Sequence, residues 1–291
     1  MTKRNSTFKL LALAAAVAAL QACGGGGGNS AGGFAAPPVA GPGPSQPSEP
    51  APADSGAVAA RFAPNDGAAR FMLMSSGSQY IGNNQAPSDF EQADSGAVTR
   101  LGPNSLSGTS QTVDIAGDAN FALGRWARGT ATLSTGARTL TGKASDAFHY
   151  VAFNGVTQLP DTGTFNCTSG TFTAPTKTTG ATAGDTGSVS DATATLTFSA
   201  GVGAVQGSIG VSGGGETANL NLTANLTSPT VTSYGGGGGL LSGGAGTAVT
   251  IADGGDGTYA LIVGYRAQLP GGASYLGVGR LSCTAAPEPI V

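Results

Sequence analysis

The first residue to consider for chemistry is His149, the one histidine in the 291 residues. It lies in a short apolar stretch, where period-2 alternation places it on the same strand face as Val151 and Phe153. A lone imidazole can be an axial ligand of haem iron, so one interpretation is a haem or small-ligand carrier that uses His149. The commoner situation is a histidine whose ring nitrogens are hydrogen-bonded within the fold.

A second candidate is the single tryptophan, which stands among arginines. With Arg138, the residues Arg125, Trp126 and Arg128 form the densest basic cluster of a chain that is otherwise acidic. Tryptophan and arginine dominate the binding energy of many protein interfaces, so an exposed Trp126 predicts a partner-binding site at these residues. A tryptophan that fills the core of the barrel is the commoner situation.

Two further motifs resemble catalytic or metal sites but lack the context that such sites need. Residues 210–214 match G-x-S-x-G, yet a nucleophile elbow requires a strand–turn–helix setting and a histidine later in the chain. Asp253 and Asp256, with their glycines, are typical of a hairpin turn. Glu216 is the one glutamate between residues 118 and 285, which leaves little for general acid–base catalysis. We therefore expect no enzyme, no metal site and no cofactor.

The three cysteines divide into one near the N-terminus and two far downstream. Cys167 ends the stripe that begins at Phe165, Cys283 ends the last predicted strand, and the two cysteines are 116 residues apart. In an oxidising, exported setting we expect them to form a disulfide, with two free thiols as the alternative. For a loop of this length the chain-entropy estimate of stabilisation is about 4–5 kcal/mol.

The first 22 residues have the composition of a secretory signal peptide. Lys3, Arg4 and Lys9 make a positive start, and residues 10–20 are all Leu, Ala or Val. This apolar run is too short for a membrane-spanning helix, which needs about 20 residues. The pattern predicts that the protein is exported.

The residues Leu20-Gln21-Ala22-Cys23 resemble the lipobox of bacterial lipoproteins, in which a small residue precedes a cysteine that is acylated. The resemblance implies that Cys23 carries a covalent lipid that anchors the protein in the membrane. Gly24 follows where an aspartate would indicate the inner membrane, so the resemblance implies the outer membrane. Several acyl chains, at about 0.8 kcal/mol per buried CH₂, would hold the protein essentially permanently. An ordinary cleaved signal peptide is the alternative, and whether the protein faces the surface or the periplasm stays open.

Charge limits the partners that the exported chain is expected to bind. Removing Lys3, Arg4 and Lys9 from the 13 basic residues leaves ten, against 16 acidic residues. An acidic chain is poorly suited to nucleic acid or to anionic lipid headgroups. We expect no nucleic-acid partner, membrane contact through the acyl anchor alone, and a protein partner that the sequence does not identify.

Residues 23–59 are rich in glycine and proline, which predicts a flexible, disordered tether.

The end of this segment contains a short repeat, because the six residues 53–58 recur identically at 93–98. The residues that follow, 61–66 and 100–105, are similar as well. We interpret the copies as two turn-then-strand units, and chance similarity in a chain rich in Ala and Gly is the alternative.

From residue 105 onward, apolar and polar residues alternate with period 2, which predicts half-buried strands. Gly- and Asp-rich turns separate them, and we expect an all-β fold: an antiparallel meander of about eight strands closing into a barrel. A two-sheet β-sandwich is the alternative, and residues 228–247 are expected to be a mobile surface loop. The predicted strands or apolar stripes cover 119–127, 129–135, 146–153, 163–173, 193–198, 205–211, 218–227, 259–265 and 273–283.

These features divide the chain into five predicted parts. They are a lipoprotein signal peptide (1–22), the tether (23–59), a β-rich N-terminal segment (60–117), a β-barrel domain (118–285) and a tail (286–291). This layout, with the strand and turn texture of the barrel domain, resembles the surface lipoproteins that include transferrin-binding protein B and the factor H-binding proteins. The resemblance implies a binding module whose loops and barrel exterior contact a partner. We expect a non-catalytic binding or envelope-structural module that binds a host or environmental macromolecule.

Overall fold

The computed structural model describes residues 52–75, 80–180, 184–236 and 239–287, and it describes no side chains at 80–85. The predicted signal peptide, Cys23, most of the predicted tether and the end of the predicted tail lie outside these residues. The described residues are almost entirely β-strand, with two short 3-10 helices at Ala144–Asp146 and Gly239–Ser242. Neither of these helices has the length and apolar character that a membrane span requires.

Nine strands from the first half of the described chain form one curled sheet. Their order is β3-β2-β9-β7-β6-β5-β4, with β8 pairing with β7 and β1 pairing in parallel with β6. The other pairs are antiparallel. The strands are β1 (Gly56–Val58), β2 (Ala69–Ser75), β3 (Tyr80–Gln85), β4 (Phe90–Gln92), β5 (Val98–Leu101), β6 (Asn104–Asp118), β7 (Phe121–Leu133), β8 (Gly136–Thr141) and β9 (Phe148–Asn154).

The second sheet also has nine strands, in the order β14-β13-β12-β10-β18-β17-β16-β15, with β11 pairing with β18. This order is a meander in which the first long strand pairs with the last. The strands are β10 (Thr162–Phe172), β11 (Thr176–Thr179), β12 (Ser188–Ser199), β13 (Val202–Gly213), β14 (Glu216–Leu226), β15 (Ser233–Gly235), β16 (Gly246–Gly255), β17 (Thr258–Gln268) and β18 (Ser274–Ala285).

The two ends of the second sheet approach each other, so the sheet nearly closes into a barrel. The backbone N–H of Asn225 on β14 donates a hydrogen bond of 3.2 Å to the Ser233 hydroxyl on β15. β10 and β18 form a ladder with one register shift, between Cys167 and Ser169, whereas β14 and β15 have no ladder of their own. The all-β prediction and the meander with barrel-like closure are confirmed.

Three predicted boundaries differ from the structure. The boundary at 117/118 falls inside a hairpin, because β6 and β7 are paired antiparallel strands joined at Asp118–Phe121. The predicted strands 119–127 and 129–135 are one strand, β7, which Gly129 does not interrupt. The predicted tether extends too far, since β1 already belongs to the first sheet. Glycine is accommodated within β-structure at each of these places, since Gly56, Gly117 and Gly129 all lie inside strands.

The segment 228–247 is also more structured than the expected loop. It contains β15 and the 3-10 helix Gly239–Ser242, in which Leu240 is buried. Residues 237 and 238, in the middle of the glycine tract, lie outside the described part of the chain.

The two copies of the short repeat contact each other. The Ser95 hydroxyl of the second copy donates a 2.6 Å hydrogen bond to the Asp54 carboxylate of the first. The equivalent glycines, Gly56 and Gly96, both have positive φ, at 103° and 89°. Each copy leads into a strand that borders β6, but β1 pairs with β6 in parallel and β5 pairs antiparallel. The copies therefore share the positive φ of their glycine, but the first contains β1 whereas the second forms a turn before β5.

Apolar side chains form three separate cores. One fills the inside of the barrel, one lies in the concave face of the first sheet, and one lies between the sheets, where β16–β18 pack against β2, β7 and β9. As a result β9 is buried along its whole length. The core between the sheets consists of Met72, Met74, Phe121, Leu123, Val151, Phe153, Leu240, Ala248, Ala252, Ala260, Ile262, Leu276 and Val278.

Candidate functional site

His149 lies at the junction of the two sheets and is fully buried. Its strand, β9, belongs to the first sheet, and its ring points at the β10–β11 segment of the second. Nδ1 is 2.7 Å from the Thr173 hydroxyl, and Nε2 is 2.7 Å from the Thr176 hydroxyl. Both ring nitrogens are thus engaged within the fold, and an iron ligated at either one would have to displace a hydrogen bond.

Arg125 is the cross-strand partner of His149 and faces the same segment of the second sheet. Its Nε lies 2.9 Å from a carboxylate oxygen of Asp114, and the two side chains are only 11% and 24% exposed. The same Asp114 oxygen accepts a 3.1 Å hydrogen bond from the backbone N–H of Ala174. We call His149, Arg125, Asp114, Thr173 and Thr176 the intersheet polar cluster.

The electrostatics of this cluster keep the imidazole neutral. Burial, and secondarily the positive charge of Arg125, lower the pKa of His149 well below its ordinary value. A neutral imidazole has one donor and one acceptor, which suits two threonine hydroxyls that can each play either role. The arrangement links the two sheets, and His149, Thr173 and Thr176 are all fully buried, so solvent does not reach the imidazole or the two hydroxyls.

Asp114, Thr173 and Thr176 are the members of the cluster that the sequence did not indicate, and Asp114 has an unusual backbone conformation. It lies where the β6–β7 register shifts, and its φ of 57° is in the left-handed region. An aspartate tolerates that conformation better than most residues, but a single Asp in a polar strand has no pattern that predicts it.

Trp126 lies in the concave core of the first sheet and is fully buried. Its Nε1–H donates a 2.7 Å hydrogen bond to the carbonyl of Val98, whose own N–H donates at 3.0 Å to the Tyr150 hydroxyl. Trp126 therefore fills a core, as is commoner for a tryptophan, and the interpretation of an exposed partner-binding site at Arg125, Trp126 and Arg128 is wrong. Arg125 faces the second sheet, Trp126 lies in the core of the first sheet, and Arg128 is exposed to solvent, so the three do not form one surface.

Cys167 and Cys283 lie directly opposite each other in the β10–β18 ladder and are both buried. Their sulfur atoms are at disulfide-bonding distance, 2.04 Å. The predicted pair is thus brought together where the first and last long strands of the barrel meet.

The inside of the barrel is filled by side chains, whereas a carrier would need a hollow one. Aromatic rings pack there in edge-on contacts, with the centroid of Phe165 4.9 Å from that of Tyr259 and 5.9 Å from that of Phe198. Tyr265 and Tyr275 are fully buried in the same core. His149 lies outside this core, and Thr173 and Thr176 cover its two ring nitrogens.

Three depressions on the surface of the described residues have polar or charged side chains in their lining. A cavity of about 450 Å³ lies beside Asp114 and Thr173, and another of about 360 Å³ lies beside Asp66 and Asp253. A third, of about 300 Å³, holds Lys143 and Lys177 and is partly neutralised, because Lys177 pairs with Asp185 at 3.2 Å.

The G-x-S-x-G match and the turn at Asp253 both lie in ordinary β-hairpins. Ser212, of the G-x-S-x-G match, hydrogen-bonds Thr217 across the β13–β14 hairpin at 2.7 Å. Asp253 accepts a 2.9 Å bond from the N–H of Gly255 within the β16–β17 hairpin. Among the described residues, no three His, Cys, Asp or Glu side chains are grouped as metal ligands would be.

No protein-family model, curated protein or solved structure matches this chain. The chemistry of its own residues therefore has to indicate what the protein does.

Proposed function

We propose that this protein is a lipid-anchored protein of the bacterial outer membrane that acts as a non-catalytic binding or envelope-structural module. The observation that supports this best is the order of its segments. The lipobox-like residues Leu20-Gln21-Ala22-Cys23 come first, a Gly/Pro-rich stretch follows, and the packed β body begins at Gly56. As a flexible coil, the intervening stretch would hold the body roughly 30 Å from an acylated Cys23.

A binding or structural role suits the packing of the body. Apolar side chains fill the barrel, the concave face of the first sheet and the space between the sheets. The residues that would be the first candidates for chemistry already serve the fold: His149 and Arg125 link the sheets, and Trp126 fills a core. In such a molecule the outer surface is left to contact other molecules.

Metabolic labelling with a palmitate analogue tests the anchor. The wild-type chain should be labelled and should sediment with outer membranes, and Cys23→Ser should abolish both. The Cys167→Ala/Cys283→Ala double variant is the matched control, because it removes the other cysteines and should still be labelled. Label that survives Cys23→Ser, or a wild-type chain without label, would show that the protein is not a lipoprotein.

A further inference from the structure

One wall of the barrel remains exposed after the two sheets have packed together. The outer faces of β16, β17 and β18 contribute apolar residues to the core between the sheets. The outer faces of β10, β12, β13 and β14 do not, and their outward residues are largely exposed. We call the outward residues of these four strands the outer wall.

The outer wall is almost uniformly polar and uncharged. The four strands, all of them described, contain only two charged residues, and both are marginal: Asp191 lies in an irregularity of β12, and Glu216 begins β14 and accepts a 3.0 Å bond from the N–H of Gly271. The aromatic residues of these strands point into the barrel. The polar residues that face outward are Thr162, Thr164, Asn166, Thr168, Thr193, Thr195, Thr197, Ser199, Gln206, Ser208, Asn219, Asn221, Thr223 and Asn225.

The strand register aligns these side chains in rows that cross the strands. One row runs Asn166, Thr195, Gln206, Thr223 over the four strands, and Thr284 of β18 extends it to a fifth. Neighbouring members of a row lie about 4.8 Å apart, and successive rows lie about 6.8 Å apart along each strand. Two parallel rows are Thr164, Thr197, Ala204 and Asn225, and Thr193, Ser208 and Asn221. The outer wall is therefore a regular two-dimensional array of hydroxyl and amide groups.

The chemistry of the array selects against several kinds of partner. Its outward residues include no tryptophan, tyrosine or arginine, the residues that carry most protein interfaces. It has no lysine or arginine to neutralise phosphates, so it does not suit nucleic acid or anionic lipid. What it offers is many neutral donors and acceptors at a repeating spacing, and the matching surface is a chain of neutral hydroxyl groups.

From this match we propose that the outer wall binds a neutral polysaccharide. The proposal deepens the function proposed above, and names the surface and the class of partner. Each hydrogen bond to a sugar hydroxyl replaces one to water and is individually weak. Affinity then depends on many rows acting at once, so long chains bind and short oligosaccharides do not. Since no charge takes part, binding is nearly independent of salt concentration.

Pull-down of the purified full-length protein in detergent tests the proposal, with insoluble cellulose, chitin and an α-glucan as probes and anionic alginate for comparison. The Thr195→Val/Thr223→Val double variant keeps the shape of one row and removes its hydroxyls. Thr132→Val, at an exposed position of β7 in the other sheet, is the matched control. We expect retention on at least one neutral polysaccharide at low and high salt, about fivefold weaker in the double variant and unchanged in the control.

Several results would overturn this assignment. They are failure to bind any of the neutral polysaccharides, binding that high salt abolishes, and equal binding by the double variant and the wild type. Self-association that the double variant abolishes would show instead that the outer wall is an interface between two copies. Because palmitate labelling at Cys23 is measured separately, any of these outcomes leaves the proposed anchoring intact.

Discussion

Arg125 and His149 lie opposite each other on the neighbouring strands β7 and β9, and both reach the same short segment of the second sheet. His149 contacts the hydroxyls of Thr173 and Thr176, while Arg125 holds Asp114, which accepts a bond from the backbone between those threonines. The sheets are thus joined by a buried polar contact as well as by an apolar core. This contact has a consequence for the dependence of stability on pH.

Stability should fall as the solution becomes mildly acidic. Burial, with the charge of Arg125 as the smaller cause, lowers the pKa of His149 well below its ordinary value, whereas the unfolded chain takes up the proton near pH 6.5. The stabilisation is therefore complete above about pH 6.5 and is lost below it, by about 1.4 kcal/mol per pH unit until the folded-state pKa is reached. Urea unfolding between about pH 7.5 and pH 5 measures this. His149 is the one histidine of the chain, so His149→Gln should flatten the slope in this window; an unchanged slope in the variant would assign the effect elsewhere.

Replacing the tryptophan should destabilise the first sheet. Trp126→Ala empties a fully buried site and should cost about 3–5 kcal/mol of unfolding free energy. Trp126→Phe keeps most of the volume but leaves the Val98 carbonyl without its Nε1 donor, at a cost of about 1–3 kcal/mol. Equilibrium unfolding in urea gives both values. In the wild type, the fluorescence of this single tryptophan should be blue-shifted and resist quenching by iodide; ready quenching would contradict its burial.

Opening the disulfide should loosen the barrel where its first and last long strands meet. Cys167 and Cys283 close a loop of 116 residues, for which the chain-entropy estimate is about 4–5 kcal/mol. The Cys167→Ala/Cys283→Ala variant should therefore melt well below the wild type. Reductant should lower the melting temperature of the wild type but not of the variant. Two alkylated downstream cysteines in the unreduced, denatured wild type would refute the pairing.

Glycines that lie under tyrosine rings should not tolerate a side chain. Gly277 is the cross-strand partner of Tyr265, and a Cβ at this position would overlap the phenol ring; Gly124 and Tyr150 repeat the arrangement in the first sheet. Gly277→Ala should cost about 1–3 kcal/mol, because a buried ring has to move. In a Tyr265→Leu background the same substitution should cost less. Equal costs in the two backgrounds, measured by urea unfolding, would mean that the ring is not the obstacle.

Part of this fold follows directly from the residue pattern. Along β14, Leu222, Ala224 and Leu226 are buried, while Asn221 and Thr223 are exposed, as the alternation predicts. The pattern is reliable here because one face of β12–β14 packs in the barrel and the other meets solvent. The pairing of Cys167 with Cys283 could be anticipated for a similar reason, since a barrel makes its first and last strands neighbours.

The features of the fold that the residue pattern does not predict depend on contacts between distant parts of the chain. β9 shows no useful alternation because both of its faces are buried, and no local signal indicates that a second sheet covers one of them. For the same reason the sequence left the environment of His149 and Trp126 open. The sequence shows the outward threonines and asparagines of each strand as a polar stripe. The strand register, which the sequence does not show, aligns the stripes of four strands into an array.

The pairing of β10 with β18 also limits how early the second sheet can fold. β10, at residues 162–172, can pair with β18 only once residues 274–285 are present. In the same way β2, at 69–75, can pair with β9 only once residues 148–154 are present. Neither sheet can close early, and chains dominated by such distant contacts fold slowly. For the exported protein proposed here the delay is useful, because a chain that stays open can still be threaded through a translocation channel.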